Sequence, residues 1–316
     1  MREVVVTEHE AGQRLDRLLR KLLRRTPLGA IYRLLRSGGV RVDGRKATGD
    51  LRLVVGMRLQ LRVADVATDA PPAAGSRPAG RRAGGDDAGP APAVVHADDD
   101  LLVLDKPAGL AVHAGSGVTA SVVDWLARAG HGVRTATWRP APAHRLDRGT
   151  AGLLLVGLTP AAQRQLTAAF RDGRVAKTYH AVVAGRPPRA RGSVDAPLLA
   201  RVDAPAGGPK VVVDAAGDAA RTEYEVVAER GGRTLLRLRP RQGRQHQLRA
   251  HLAHLGCPIV GDRRYGGPAL PGGWFLLHCT ELTLSHPATG ALVTFRAPLP
   301  AAFRLADDRR AGDRRD

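Results

Sequence analysis

Cysteine is nearly absent from this chain. Cys257 and Cys279 are the only two and show no paired metal-ligand spacing, which excludes a disulfide framework and predicts reduced thiols. Long apolar runs are missing too. Those present, such as Leu153 to Val156, are far too short to cross a bilayer, and Met1-Arg2-Glu3-Val4-Val5-Val6 lacks the apolar core of a signal peptide. A soluble, cytoplasmic protein with no membrane partner is expected. No glycine-rich loop followed by Lys-Ser or Lys-Thr occurs, so nothing points to a nucleotide cofactor. Acid is the scarcer charge: 30 Asp plus Glu face 49 Lys plus Arg, a formal net charge of +19. That excess points to a polyanionic partner, most simply nucleic acid, because clustered cations displace counterions from phosphates. Lysine supplies only five of the 49. A coding bias toward Arg in an Ala- and Gly-rich chain would inflate the total, so the distribution of charge has to decide.

What is present suffices for two domains. At 316 residues, 43% hydrophobic and 25% charged, the chain can build one large core and a smaller one. Residues 14–25 place Leu15, Leu18, Leu19, Leu22 and Leu23 at helical spacing, with Arg14, Arg17, Arg20, Lys21, Arg24 and Arg25 on the remaining surface. Thr26-Pro27 breaks this helix, a second runs near Leu28 to Arg36, and Gly38-Gly39 ends it. Val40 to Lys46 reads as strand and turn, and Met57 to Val63 as a half-buried strand. Between residues 12 and 62 there are 14 Lys plus Arg and 3 Asp plus Glu, which is more concentration than coding bias gives. The bland alternative is a solvated basic surface. Residues 64–93 contain 10 Ala, 5 Gly and 5 Pro with no aromatic, and are expected to be a flexible linker.

Beyond it, Val94 to His96 and Leu101 to Leu104 read as strands around an acidic turn, and Lys106-Pro107-Ala108-Gly109 as a turn. Helices are expected near Ser121 to Ala129, ended by Gly130, and from Thr159-Pro160 to Gly173. Lys177 to Gly185 is a strand with Tyr179 and Ala181 on one face. Leu198 to Gly217 shows little periodicity and reads as an excursion. Thr222 to Val227 and Thr234 to Arg239 form a hairpin through Gly231-Gly232. Leu248, Leu252 and Leu255 make a helical stripe capped by Gly256, with Arg249 at its edge. His246, His251 and His254 suggest a metal, but no acid or Cys completes a ligand set, so no metal is expected. Ala306 to Asp316 is charged, without an apolar face, and expected to be disordered.

The chemistry concentrates in His144-Arg145-Leu146-Asp147-Arg148-Gly149-Thr150-Ala151-Gly152, a polar loop feeding the apolar run Leu153 to Val156. An acid between two guanidiniums is favoured in its ionised form, which suits a nucleophile better than a general acid. The competing reading is an Asp that only caps the loop or pairs with Arg145.

This loop resembles the signature of the RluA-type pseudouridine synthases, with Ala151 where the family more often has Ser. Further resemblance lies in Asp105-Lys106-Pro107-x-Gly109-Leu110, in Lys177-x-Tyr179, and in Gly243-Arg244-x-His246-Gln247-Leu248-Arg249-x-His251. It continues through Cys257-Pro258 to Gly261-Asp262-x-x-Tyr265-Gly266, Leu276-Leu277-His278 and Ser285-His286-Pro287. Gly12 to Asp16, Ile31 to Arg36 and Val40 to Val42 are similar to an S4-type RNA-binding domain. The likeness covers residues 12 to about 300 apart from the linker.

It implies an α+β protein: a mixed, mainly antiparallel sheet flanked by helices, at 94–305, behind a small S4-like α/β domain at 1–63. It implies isomerisation of uridine in RNA, with nothing entering or leaving and no cofactor. Asp147 would be the nucleophile, Arg249 its ion-pair partner, and Tyr179 the ring that stacks on the base and assists proton movement. Arg145, His144, Lys106, Arg244 and His246 would bind substrate, and Arg14, Arg17, Arg33, Arg36 and Arg41 would bind RNA through the S4-like domain. The S4-like module is most similar to the RluC-type enzymes, so the expected partner is 23S ribosomal RNA or the assembling large subunit, with no obligate protein partner. Transfer RNA as substrate, or a non-catalytic assembly role, are the alternatives.

Overall fold

The leucines at helical spacing near the N-terminus do form helices, α1 (Leu15–Leu22) and α2 (Leu28–Arg36), whose inward faces are fully buried. They are seen in a computed structural model that describes the chain apart from residues 24–25, 63–90, 116–119, 133–134, 136, 202–209, 271–272 and 306–316. The expected linker lies outside the described residues except for its last three, and the expected tail lies wholly outside them. Helix α1 stops before Arg24, with Leu23 at its C-cap.

Two compact units divide the chain: Met1–Asp86 with Gly132–Pro140, and Asp87–His131 with Ala141–Asp316. In the first, α1 and α2 share a core with a sheet of β1 (Arg2–Val5), β2 (Val40–Val42), β3 (Arg45–Lys46) and β4 (Arg58–Leu61), in the order β1-β4-β2-β3. Asp43 and Gly44 both take left-handed conformations, φ 48° and 76°, as a two-residue hairpin turn requires. Strand β1 was not anticipated, because only its pairing with β4 makes it a strand. Residues 132–140, read from sequence as part of the catalytic domain, group here instead: the buried Glu10 carboxylate accepts from Thr7, Thr135 and Thr137. Arg14, Arg17, Arg33, Arg36 and Arg41 are all exposed. Arg14 is ion-paired with Asp16 at 2.8 Å.

The second unit is built on ten strands: β5 (Ala93–Ala97), β6 (Leu101–Lys106), β7 (Ala141–Pro142), β8 (Ala151–Gly157), β9 (Ala176–Ala184), β10 (Arg191–Asp195), β13 (Arg221–Arg230), β14 (Arg233–Pro240), β15 (Leu277–Ser285) and β16 (Leu292–Arg296). Their order is β10-β13-β14-β9-β15-β8-β6-β5, with β16 also on β15 and β7 also on β8. Every pairing is antiparallel except β8 with β15, giving the mixed, mainly antiparallel sheet expected. Leu101 to Leu104 and Leu153 to Val156 are fully buried, which is why these central strands read as continuous apolar runs. Helix α3 (Val122–Ala129) begins with a Ser121–Asp124 capping box and ends at Gly130, φ 75°. Helix α4 (Pro160–Arg171) starts under the Thr159 cap.

Two expectations need correction. The 198–217 excursion carries strands of its own that were not expected: β11 (Leu198–Arg201) and β12 (Lys210–Val213) pair antiparallel in a separate sheet, and Leu198 and Val211 pack with Ala250 and Tyr265. Strands of four residues are too short to show a period. Helix α5 (Gln247–His254) does not carry a simple apolar stripe either, because Gln247 through Leu252 are all buried. Its polar residues are inside because they have partners.

One glycine permits the central pairing. Gly152 sits opposite Cys279 in the parallel β8–β15 ladder with φ +106°, and a methyl group there would lie 2.2 Å from the Cys279 carbonyl oxygen. Gly152→Ala should therefore cost more than about 3 kcal/mol of unfolding free energy. Urea denaturation measures this, and a loss below about 1 kcal/mol would show that the ladder yields easily.

Candidate active site

The Asp147 loop joins β7 to β8. Leu146 is buried in the core, and the Thr150 N–H donates to the Asp147 carbonyl at 3.0 Å, closing the turn. A methyl group on Gly149 would lie 2.5 Å from the Phe275 ring, so only glycine lets the loop sit this close. Arg148 turns away. Its Nε donates to the Gly109 carbonyl at 2.9 Å, Gly109 N–H donates back to the Arg148 carbonyl at 2.8 Å, and the guanidinium lies 5.2 Å from the Trp274 ring. Arg145 is exposed at the mouth of the cleft. Among the described residues neither flanking arginine pairs with Asp147, which corrects the expectation drawn from their adjacency.

The guanidinium that meets Asp147 comes from α5. Arg249 donates from Nη1 to Asp147 Oδ2 at 3.1 Å, and from Nε and Nη2 to the two oxygens of Asp262 at 2.7 and 2.8 Å. It lies between the rings of Tyr265 and Phe275, at 4.8 and 4.4 Å. Burial works against the Arg249 charge, but hydrogen bonds and attraction to Asp262 outweigh it and raise the guanidinium further. Asp262 is 2% exposed. A bidentate carboxylate on one edge and two rings on the faces leave the guanidinium one orientation, with its remaining N–H edge on Asp147.

His246 stands on the other side, in a left-handed conformation with φ 53°. The Tyr265 hydroxyl accepts from Val211 N–H at 3.1 Å and shares a hydrogen bond of 2.9 Å with His246 Nδ1. Burial, only partly offset by Asp147, lowers the imidazole below its ordinary range. Its Nε2 faces Asp147 Oδ2 at 3.7 Å. Both partners of Asp147 thus engage Oδ2, and among the described residues Oδ1 has no hydrogen-bond partner.

These groups line a cleft of about 500 Å³, which Tyr179, Lys177, Arg145 and Arg244 also reach. Burial raises the Tyr179 hydroxyl well above the usual phenol range, so it stays protonated at neutral pH. Its strand neighbour Cys279, a free buried thiol, is pushed up to about 12 by the same desolvation. Arg244 contacts Asp218 at 3.4 Å at the exposed rim.

Two expected substrate ligands are elsewhere. Lys106 is fully buried, and its Nζ donates to the carbonyls of Pro107, Leu110 and Arg148 at 3.0, 2.8 and 3.3 Å. It fixes the Asp147 loop from behind. His144 accepts the Leu155 N–H on Nε2 at 3.1 Å and stacks on Phe170 at 4.1 Å; burial pushes it down to about 3, so it is neutral. It is a strut of the sheet, not part of the cleft. Of the histidines weighed for metal, His251 has both ring nitrogens engaged, by Thr222 and the Ala196 carbonyl. Among the described residues no cluster is arranged to hold a metal, and no helix is long and apolar enough to cross a membrane. Asp262 and Tyr265 were noted from sequence only as part of a matching motif and given no role, and Phe275 was not noted at all.

Comparison with known proteins agrees with this geometry. Residues 100–254 match the family model described as RNA pseudouridylate synthase. The chain is 34% identical, over 95% of its length and 94% of the relative, to ribosomal large subunit pseudouridine synthase C of Escherichia coli (strain K12). It is 32% identical, over 94% of the chain and 92% of the relative, to the protein of that name in Vibrio vulnificus. Among solved structures, human RNA pseudouridylate synthase domain containing 4 aligns with a TM-score of 0.54 and 28% identity, covering 66% of this chain and 89% of that one.

Two outcomes test the site's supports. Asp262→Ala leaves Arg249 buried beside Asp147 alone and should cost about 3 kcal/mol of stability; a loss under about 0.5 kcal/mol would mean that Asp262 does not carry the guanidinium. Lys106 is lowered by burial, against the attraction of Asp147, from 10.5 to about 7. Between those values the unfolded chain holds a proton that the folded protein has released, so stability should rise with pH across that window. Lys106→Met should flatten the rise in urea titrations taken at successive pH values, and an unchanged slope would refute the assignment.

Proposed function

The chain belongs to the RluA-type RNA pseudouridylate synthase family, and on that premise we propose that it converts specific uridines of 23S ribosomal RNA to pseudouridine with Asp147 as nucleophile. The observation that carries the residue assignment is the asymmetry of the carboxylate: Oδ2 faces Arg249 and His246, and Oδ1 is left for the substrate.

The reaction breaks the bond between ribose C1′ and uracil N1, turns the base, and joins C1′ to C5. The C5 proton leaves and N1 gains one, so nothing is consumed. Asp147 acts at the ribose through Oδ1, while Arg249 keeps the carboxylate aimed in a half-buried site. Tyr179 lies against the base and, as a phenol, serves proton movement at its edge. Arg145 and Arg244 at the mouth face the phosphates, and His246 steadies Oδ2. A stacked base cannot reach Asp147, so the uridine is flipped out, which costs a few kcal/mol, less in a loop.

The substrate assignment draws on the large-subunit names of the relatives, which align over nearly their whole length. Support for RNA as partner also comes from the N-terminal unit. We read it as S4-like: two helices on a small sheet, with Arg14, Arg17, Arg33, Arg36 and Arg41 exposed for phosphate contacts that position rather than specify. A cytoplasmic location, with the assembling large subunit, follows from that substrate.

Asp147→Asn should abolish turnover with RNA affinity nearly intact, and retention of more than about one per cent of the wild-type rate would rule Asp147 out as nucleophile. The deciding experiment maps pseudouridines chemically in ribosomal and transfer RNA from cells carrying the wild-type chain, Asp147→Asn, or no copy. Large-subunit sites lost in both defective strains are expected. Sites lost only in transfer RNA would move the substrate, and no lost site anywhere would leave a binding role in assembly.

A further inference from the structure

The cleft around Asp147 is continued on its Lys177 side. A second groove, about 910 Å³, shares Lys177 and Pro240 with it and runs on over Arg174, Thr178, Arg239 and Arg241 at the ends of β9 and β14. Its lining contains no aromatic ring, so it offers no stacking platform for a base.

Its charges are unevenly matched. The two carboxylates, Glu223 and Glu281, are already held: Glu223 by Arg241 at 2.7 Å and Glu281 by Arg296 at 2.8 Å. Arg174 is ion-paired with Asp172. Two cations remain. Arg239 is exposed directly across the ladder from Glu223, and among the described residues it has no ion-pair partner. Lys177 is half-buried on the same face as Tyr179; its Nζ donates to the Gln242 carbonyl at 3.2 Å, and no carboxylate among the described residues pairs with it. Burial lowers this ammonium, as it must where desolvation is not offset by an anion. An ammonium has three donors, and among the described residues this one uses a single one.

We propose that Lys177 and Arg239 form a phosphate-binding exit, gripping the RNA backbone on one side of the flipped uridine as the strand leaves the active cleft. The inference rests on the RNA reading above and extends it to the path of the strand. Lys177 neutralises a phosphate next to the target nucleotide, and Arg239 one further along the groove. The absence of base-stacking groups makes this grip independent of sequence.

The test uses the full chain carrying Asp147→Asn, which reads binding without turnover, and a single-stranded oligouridylate as probe. Affinity is measured over a range of salt. Lys177→Gln and Arg239→Gln should each reduce the slope of log K against log salt by about 0.7, the increment for one phosphate contact on a single strand. Lys177→Arg should restore it. Arg239 is a surface residue, so its variant keeps the test valid if Lys177→Gln folds poorly. Hydrogen exchange in the bound state should show protection at residues 173–177 and 239–243 as well as at 144–150. Parental slopes in both variants, with protection confined to the cleft and the N-terminal unit, would overturn the exit. If the parent chain fails to bind oligouridylate at any salt, the RNA reading itself fails, and the exit falls with it.

Discussion

One guanidinium holds four separated pieces of chain together. Arg249 from α5 reaches the Asp147 loop, the Asp262 turn, the Tyr265 ring and the Phe275 ring before β15. A buried charge is tolerable only when fully paired, and only arginine can pair two carboxylates on different edges while rings cover its faces. Lysine would supply the charge without the planar fork. The neighbouring backbone is shaped to allow the convergence: side chains on Gly149 or Gly261 would collide with Phe275 or the backbone at Trp274 and Phe275. Stability and the proposed catalysis are therefore tied at this point, because the interactions that orient Asp147 also close the core around it.

Around this charged centre the protein removes charge elsewhere. Burial leaves His144 neutral, lowers Lys106 into the neutral range, and keeps Tyr179 and Cys279 protonated. At the floor of the cleft, among the described residues, Asp147 is joined to the buried Arg249–Asp262 pair, a set that sums to one negative charge. At the rim the sign reverses, with Arg145, Arg244 and Lys177. On the proposed function, this places the cations at the mouth, where a polyanion's backbone would meet them, and a carboxylate at the floor, where the ribose would lie.

What the sequence made legible was local. Helix α2 runs over the residues that its spacing predicts, α3 and α4 begin at the caps that Ser121 and Thr159 announce, and the β13–β14 hairpin turns where Gly231-Gly232 falls. The partners of charged groups were not legible, because they depend on contacts across the fold. Adjacency suggested that Arg145 and Arg148 flank Asp147, yet the loop between β7 and β8 points successive side chains in different directions, and the actual partner lies 102 residues away. Lys106 and His144 were misplaced for the same reason. Polar residues in a loop beside the nucleophile look like ligands, but their side chains turn inward to satisfy buried backbone groups, the Arg148 carbonyl and the Leu155 amide. Asp262 belonged to a matching motif, but its pairing with Arg249 was not legible because it depends on contacts across the fold.

This second layer explains why the site needs little rearrangement to work. Asp147 is fixed through its side chain by Arg249, through its own carbonyl by Thr150, and through the next carbonyl by Lys106 and Gly109. A carboxylate on a free surface loop would reorient, with its water, as charge developed on the ribose. Here the dipoles and charges are set before the substrate arrives, and their cost is met in folding, so that less reorganisation accompanies the chemical step. The groups that looked like ligands in the sequence thus hold the loop still, and among the described residues they leave Oδ1 without a hydrogen-bond partner, free for the role proposed for it.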